Sequence, residues 1–374
     1  MTDYLLDTIL NAGLRAVAVI GMAKNAGKTT VLNHLMEEST RRRLRIATAS
    51  IGRDGEDYDA VTLKKKPRVL LPAGSVFITT DRLVHRQVAA GKLRAELVED
   101  LNLDTVLGRV GIYRTAGGGE AELAGLNRIS GMMEVKDRMV AESDLFLIDG
   151  ALNRRSSAVP SLADGIILAT GAVLGRDIPS VIRATRESVD LLSLPRMETF
   201  PPWDMIGEES RDLQRDLLRD LIGEARRALA KGVSLHIHSG RNMPLTAVGE
   251  PVSPRILRNL SIGEGDILAF QGALTESLAE ALFYRRDLPP CTLLVRDGTR
   301  VFVTPRSLKL LASRGMEIRV LDPMKITAIT SNPHNPMGQD LHRNQLLEAL
   351  RTEFAPLPVF DVELNGARGS SISP

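Results

Sequence analysis

Residues 16–30 read AVAVIGMAKNAGKTT: an unbroken apolar run, a turn with glycines at 21 and 27, then Lys28-Thr29-Thr30 opening a helical period. A buried strand that passes into a helix through such a turn has the chemistry of a phosphate-binding loop. Backbone N–H groups of the turn surround a polyphosphate, and the helix N-terminus adds its partial positive charge. On this reading Lys24, Asn25, Ala26, Gly27, Lys28, Thr29 and Thr30 form the cradle. Lys28 is the catalytic cation that reaches the β- and γ-phosphates, and the Thr29 hydroxyl ligates magnesium. The spacing departs from G-x-x-x-x-G-K-[ST], because the residue five before Gly27 is Met22 and Gly21 stands one place early. An ordinary strand–turn–helix junction with the same three residues is the competing reading.

The rest of the chain limits what such a loop could serve. Its 374 residues allow two or three domains. Aromatic residues make up 3%, so the core is built mainly from Leu, Val, Ile and Ala, with little material for stacking on bases. A formal net charge of +2 argues against a general attraction to nucleic acid. The basic runs at 41–43 and 64–66 read as solvated ends of secondary structure. The single cysteine, Cys291, excludes an intramolecular disulfide and a cysteine-based zinc site, and its apolar surroundings suggest a buried strand. The stretch MTDYLLDTILNAGLR carries acids where a signal peptide needs bases, and no apolar run reaches the length of a membrane span. The expectation is a cytoplasmic protein without a membrane or nucleic-acid partner.

Apolar runs alternate with helical periods up to residue 200, as a parallel α/β sheet requires. Strands are expected at 16–20, 44–51, 69–71, 75–79, 106–113, 145–148 and 165–169, with helical material at 81–100. Three prolines and the lone tryptophan interrupt the pattern at 195–210, and a charged amphipathic helix follows at 210–231. Beyond it, strands are expected at 233–238, 266–270, 292–296, 301–303, 317–321 and 326–330, with helices at 274–283, 306–314 and 339–354. The predicted fold is α/β: a P-loop NTPase with a doubly wound, mainly parallel sheet over 1–200, a linker helix at 201–231 and a second, smaller α/β domain at 232–364. The polar tail at 365–374 is expected to be disordered.

Ligands of doubly wound sheets bind outside the carboxyl ends of the strands, so acids there matter most. Asp149 directly follows the apolar run LFLI, where an acid holds magnesium beside the phosphates; with Thr29 it supplies hard oxygen ligands. Asp54, in the turn after LRIATASI, is the second catalytic candidate, placed to face the γ-phosphate; Glu56 and Asp57 compete with it, and a solvated acidic loop is the alternative. The glycines at 117–119 would permit close approach at a carboxyl edge, with Glu120 as a carboxylate for metal or substrate. The segment 153–157 (NRRSS) reads as surface or interdomain contact. His236 and His238 alternate on one strand, with no third ligand near them in sequence to make a zinc site. The segment 331–336 (SNPHNP) has the composition of a turn. A G-x-S-x-G elbow and a G-x-G-x-x-G fingerprint are both absent.

Taken together, the loop, the Asp54 turn and the Asp149-Gly150 strand end resemble the SIMIBI class of P-loop NTPases. Four stretches, GMAKNAGKTT (21–30), SIGRDGE (50–56), LIDGALNRRSSA (147–158) and ILATGA (167–172), are similar to the P-loop reactivase subunit of adenosylcobalamin-dependent lysine and ornithine aminomutases; AITSNPHNP (328–336) fits the same pattern. The resemblance implies a Mg2+- and ATP-binding, ATP-hydrolysing accessory protein. Its implied partners are the cobalamin-dependent aminomutase and a MutS-like ATPase subunit, and by analogy it forms a homodimer across the nucleotide site. Lys28, Thr29 and Asp149 inherit the phosphate and magnesium roles, and Asp54 a switch role. Two other readings stand beside it: an ATP-dependent ligase or kinase of the dethiobiotin synthetase type, and a GTP-binding switch or metallochaperone. The absence of an Asn-Lys-x-Asp motif favours ATP over GTP.

Overall fold

The structure, a computed structural model, describes residues 4–50, 68–124, 129–151, 159–198, 211–238, 245–249 and 252–364. Contacts divide the chain into two compact units, Met1–Ser188 with Lys325–Pro374, and Val189–Met324. In the first, nine strands form one sheet: β1 (Ala16–Gly21), β2 (Ile46–Ser50), β3 (Val76–Thr80), β4 (Ala95–Thr105), β5 (Gly108–Thr115), β6 (Leu145–Ala151), β7 (Gly165–Gly171), β8 (Ile326–Asn332) and β9 (Val359–Phe360). Their spatial order is β9-β8-β7-β1-β6-β2-β3-β5-β4. Every neighbouring pair from β9 to β3 is parallel, while β5 pairs antiparallel with both β3 and β4. The fold is mixed α/β with a large, mostly parallel sheet.

Parallel strands covered on both faces read as continuous apolar runs. Accordingly β1, β2 and β3 are buried at every position. Alternation then decides which face each residue serves. Val17 and Val19 of β1 and Leu145 and Leu147 of β6 share a core with Val31, Leu32, Leu35 and Met36 of helix α2 (Lys28–Arg41). Phe146 and Ile148, of opposite parity, are equally buried on the reverse face. Helix α1 (Leu5–Asn11) docks on α2, and one of its unpaired first-turn donors, the Leu6 N–H, donates to Glu38 Oε2 at 3.3 Å. His34 Nε2 lies 3.5 Å from the same oxygen. Burial holds the His34 imidazole below its ordinary pKa and lifts the Glu38 carboxyl above its own.

Several sequence expectations are redrawn. The helical period expected over 81–100 stops at Ala89 in helix α3 (Asp81–Ala89), and 95–105 is strand β4. The strand expected at 106–113 instead begins at Gly108, after a turn in which Thr105 Oγ1 donates to the Gly108 carbonyl and accepts from the Leu107 N–H. Together β4 and β5 form an antiparallel hairpin at the sheet edge, where no position of β4 is buried and Leu97, Val98 and Leu103 are exposed among its acids. The run at 69–71 stays outside the large sheet and pairs antiparallel with Gly119–Ala121. The largest change concerns 325–364, which was expected in the C-terminal domain. Its strands β8 and β9 add to the large sheet beside β7.

The unit Val189–Met324 carries its own sheet, with the strand order 245–249, 234–237, 267–269, 292–295, 317–320. The last three are parallel, and Ser234–Ile237 runs antiparallel to both of its neighbours. Cys291 is buried just before strand Thr292–Val295; burial, then the charge of Asp266, push its thiol up to about 11, so it is an inert core residue. No helix among the described residues is long and apolar enough to cross a membrane.

The buried imidazole makes stability pH-dependent. His34 takes up a proton less readily when folded, so its contribution is present above the ordinary histidine pKa of 6.5 and is lost as pH falls through the lowered value. Urea denaturation of wild type and His34→Gln at pH 7.5 and 5.5 measures this. The wild type is expected to lose more stability on acidification than the variant; equal losses would assign the acid sensitivity elsewhere.

Candidate functional site

The carboxyl edge of the parallel strands gathers the residues that could handle a phosphate. Strand β1 ends at Gly21 and helix α2 begins at Lys28, so the turn between them leaves the middle of the sheet. Gly27 caps α2 with φ 95°, a left-handed conformation that side chains resist, and Asn25 is also left-handed at φ 64°. A Cβ on Gly27 would lie 3.1 Å from Asn332 Cβ, so the position is closed to larger residues by both conformation and space. The Val31 N–H already donates to the Gly27 carbonyl at 3.0 Å, which leaves the first N–H groups of α2 directed at the edge.

The irregular glycine spacing has a structural reason. The Met22 N–H donates to the Ala169 carbonyl at 3.0 Å, which prolongs the β1–β7 ladder by one residue, and the Met22 side chain is buried. Position 22 therefore belongs to the sheet. Gly21 provides the clearance, since a Cβ there would meet the Ala23 carbonyl oxygen at 3.3 Å and Lys28 Cβ at 3.5 Å.

Asp149 stands on β6, in register with Val19 of β1 and Ser50 of β2. It has the parity of Leu145 and Leu147, so it faces the layer that holds α2. Lys28 Nζ lies 2.7 Å from Asp149 Oδ1, with side-chain exposures of 21% and 11%. Ser50 Oγ, on the same face, is buried and has no hydrogen-bond partner among the described residues. A hydroxyl, a carboxylate and an ammonium thus converge at the mouth of the turn. This donor set of hard oxygens beside a lysine fits a magnesium–phosphate group.

The other expected residues distribute around this centre. Lys24, Asn25 and Thr30 are exposed, Ala26 is buried, and Thr29 is partly buried in the first turn of α2. Asp54, Glu56 and Asp57 lie outside the described residues, as do Lys64–Lys66 and the segment 153–157. The glycine turn at 117–119 is corrected. Strand β5 runs against β3, pairing Arg114 with Val76 and Val110 with Thr80, so its end lies at the amino edge, opposite the candidate site. Glu120 lies 3.8 Å from both Arg68 and Lys92 in ion pairs, and it lines a cavity of about 770 Å³ with Thr30, Asn33, His34 and Glu37.

Sequence reasoning missed Asn332. Its Nδ2 donates to the Asn25 carbonyl at 3.0 Å and its Oδ1 accepts from the His334 N–H at 3.1 Å. The amide thus braces the turn from a strand end 307 residues away. The available signal was the SNP triplet at the end of an apolar run. What the sequence lacked was the strand order that puts β8 next to β7.

No family model matches this chain, and no curated protein matches it. Several solved structures align with it, among them the following two. Signal recognition particle receptor FtsY from Elizabethkingia anophelis is 14% identical over 47% of this chain and 46% of its own, so the chain spans less than half of that receptor; the TM-score is 0.23. Cobyrinic acid a,c-diamide synthase from Mycobacterium smegmatis, with bound ADP and magnesium, is 14% identical over 62% of this chain and 98% of its own, with a TM-score of 0.22. Scores this low establish no common fold, and the site stands on its own geometry.

The Asn332 brace is open to direct measurement. Asn332→Ala is expected to raise amide hydrogen exchange in residues 23–27 by about fivefold, the equivalent of one ordinary hydrogen bond near 1 kcal/mol. The amides of β1 and β6 should keep their rates. Unchanged exchange in the loop would show that it holds its shape without Asn332.

Proposed function

We propose that this chain binds a magnesium nucleotide, ATP, at the carboxyl edge between β1 and β6, and couples its hydrolysis to the remodelling of a partner protein. The observation that carries this reading is the 2.7 Å pair between Lys28, the first residue of the helix after the glycine turn, and Asp149, the acid at the end of the adjacent parallel strand. A structural ion pair could be placed anywhere on the surface. This one sits where helix N-terminal N–H groups, a left-handed glycine and a buried strand-end hydroxyl meet.

The residues divide the work by charge. The turn at 21–27 and the first N–H groups of α2 hold phosphate oxygens, and the Lys28 ammonium exchanges its carboxylate partner for a phosphate oxygen. Thr29 and Asp149 would supply oxygen ligands for magnesium, and the Ser50 hydroxyl would hydrogen-bond a water beside it. When bound, magnesium neutralises phosphate charge and favours transfer of the terminal phosphoryl group to water. Asn332 holds the turn in shape, which spares the ligand the ordering cost.

The four motif stretches further support an accessory role toward an adenosylcobalamin-dependent aminomutase, together with a MutS-like ATPase subunit. A second reading is an ATP-dependent ligase or kinase, in which the cavity of about 770 Å³ along α2, lined by Thr30, Asn33, Glu37 and Glu120, would take a small acceptor.

ATP turnover, measured with and without the aminomutase, separates these readings. Slow basal hydrolysis that the aminomutase accelerates is expected, and Lys28→Ala should lower it by at least about a hundredfold, in line with the loss of a phosphate-stabilising cation. Full turnover in Lys28→Ala would remove the proposed site. Hydrolysis indifferent to the aminomutase but stoichiometric with a consumed small molecule would favour the ligase or kinase.

A further inference from the structure

The unit Val189–Met324 brings together three side chains that the sequence keeps apart. His236 and His238 alternate on one strand and its extension, so they share a face. The antiparallel neighbour pairs His236 with Leu268 and Ile237 with Ile267, and one further step sets Asp266 opposite His238. One ligand atom from each of His236, His238 and Asp266 lies within 4.8 Å of the others. The third ligand missing from the sequence pattern is therefore supplied by register, thirty residues along the chain.

We infer that His236, His238 and Asp266 form a site for a divalent first-row transition metal of the zinc class. Four-coordinate zinc with ligands at about 2.0–2.2 Å keeps its ligand atoms roughly 3.3 Å apart. His236 Nε2 lies 2.7 Å and His238 Nδ1 3.8 Å from Asp266 Oδ2, so the observed separations bracket that value. The two rings approach each other to 3.9 Å between centroids. A plain buried His–Asp pair needs one imidazole. Here two are turned on the same carboxylate, and a divalent cation is the group that takes a lone pair from each ring and a charge from the acid.

The surroundings fix the ligands as metal sites require. Thr246 Oγ1 lies 3.1 Å from His238 Nε2, which leaves Nδ1 for the inner side. The Gly263 N–H donates to Asp266 Oδ2 at 2.7 Å. His236 and Asp266 are 1% and 3% exposed, whereas His238 is 37% exposed, so water would reach a bound metal from the His238 side. Two imidazoles and one carboxylate disfavour magnesium and calcium, which prefer oxygen ligands throughout. The site is independent of the nucleotide reading, since it uses none of its residues.

The test is a Co2+ titration of the full, untagged chain in magnesium- and nucleotide-free buffer, followed by absorption and then displaced by Zn2+. One saturable Co2+ per chain is expected, with tetrahedral d–d bands that Zn2+ abolishes. His238→Ala alters a partly exposed residue, so it should keep the far-ultraviolet circular dichroism of the wild type while weakening Co2+ at least tenfold. Thr246→Val should weaken it less, and Lys28→Ala should bind as wild type. Absence of a saturable Co2+ spectrum, or wild-type affinity in His238→Ala, would overturn the site.

Discussion

The contact between Lys28 and Asp149 is the point on which the larger unit turns. It requires three independent features to agree. β1 and β6 must be adjacent and parallel, so that both end at the same edge. The side-chain parity of β6 must set Asp149 on the layer that holds α2. Gly27 must take a left-handed conformation that lets α2 start at Lys28 rather than a residue later. A one-residue slip of β6 would turn Asp149 to the reverse face and bring Gly150 to the lysine. Such a slip would also exchange Phe146 and Leu147 between two close-packed layers, since both are fully buried on opposite faces.

The same edge draws on distant parts of the chain. Strands β7 and β8 are separated by the whole unit Val189–Met324, yet they pair in register from Ala328 to Asn332. The consequence is local: Asn332 reaches the Asn25 carbonyl and closes off Gly27. The inserted unit thus interrupts the sheet in sequence without interrupting it in space. Its own strands form a second, mixed sheet, and the histidine and aspartate cluster sits on its antiparallel pair 234–237 and 267–269.

Much of this could be read from residues alone, and the limits have physical causes. The strand–turn–helix at 16–41 and the acid after LFLI are local patterns, so Lys28 and Asp149 were legible before any pairing was known. The hairpin β4–β5 was not, because a run such as AELVEDLNLDT offers leucines at spacings that suit a helix as well as an exposed strand. The sequence pattern places segment 325–364 in the other unit because a strand's sheet is decided by long-range pairing, which leaves no mark on its composition. Asn332 and Asp266 escaped for that same reason, each acquiring its role across a strand pair. The glycine turn at 117–119 read as a carboxyl-edge feature since the antiparallel direction of β5 is invisible in its residues.

A crystal structure with Mg2+ and a non-hydrolysable ATP analogue tests the central relation most directly. Lys28 Nζ should leave Asp149 for the β- and γ-phosphate oxygens, with Mg2+ held between Thr29 Oγ1 and the Asp149 carboxylate or its bound water. A nucleotide bound elsewhere, with Lys28 still paired to Asp149, would contradict the assignment of this edge as the nucleotide site.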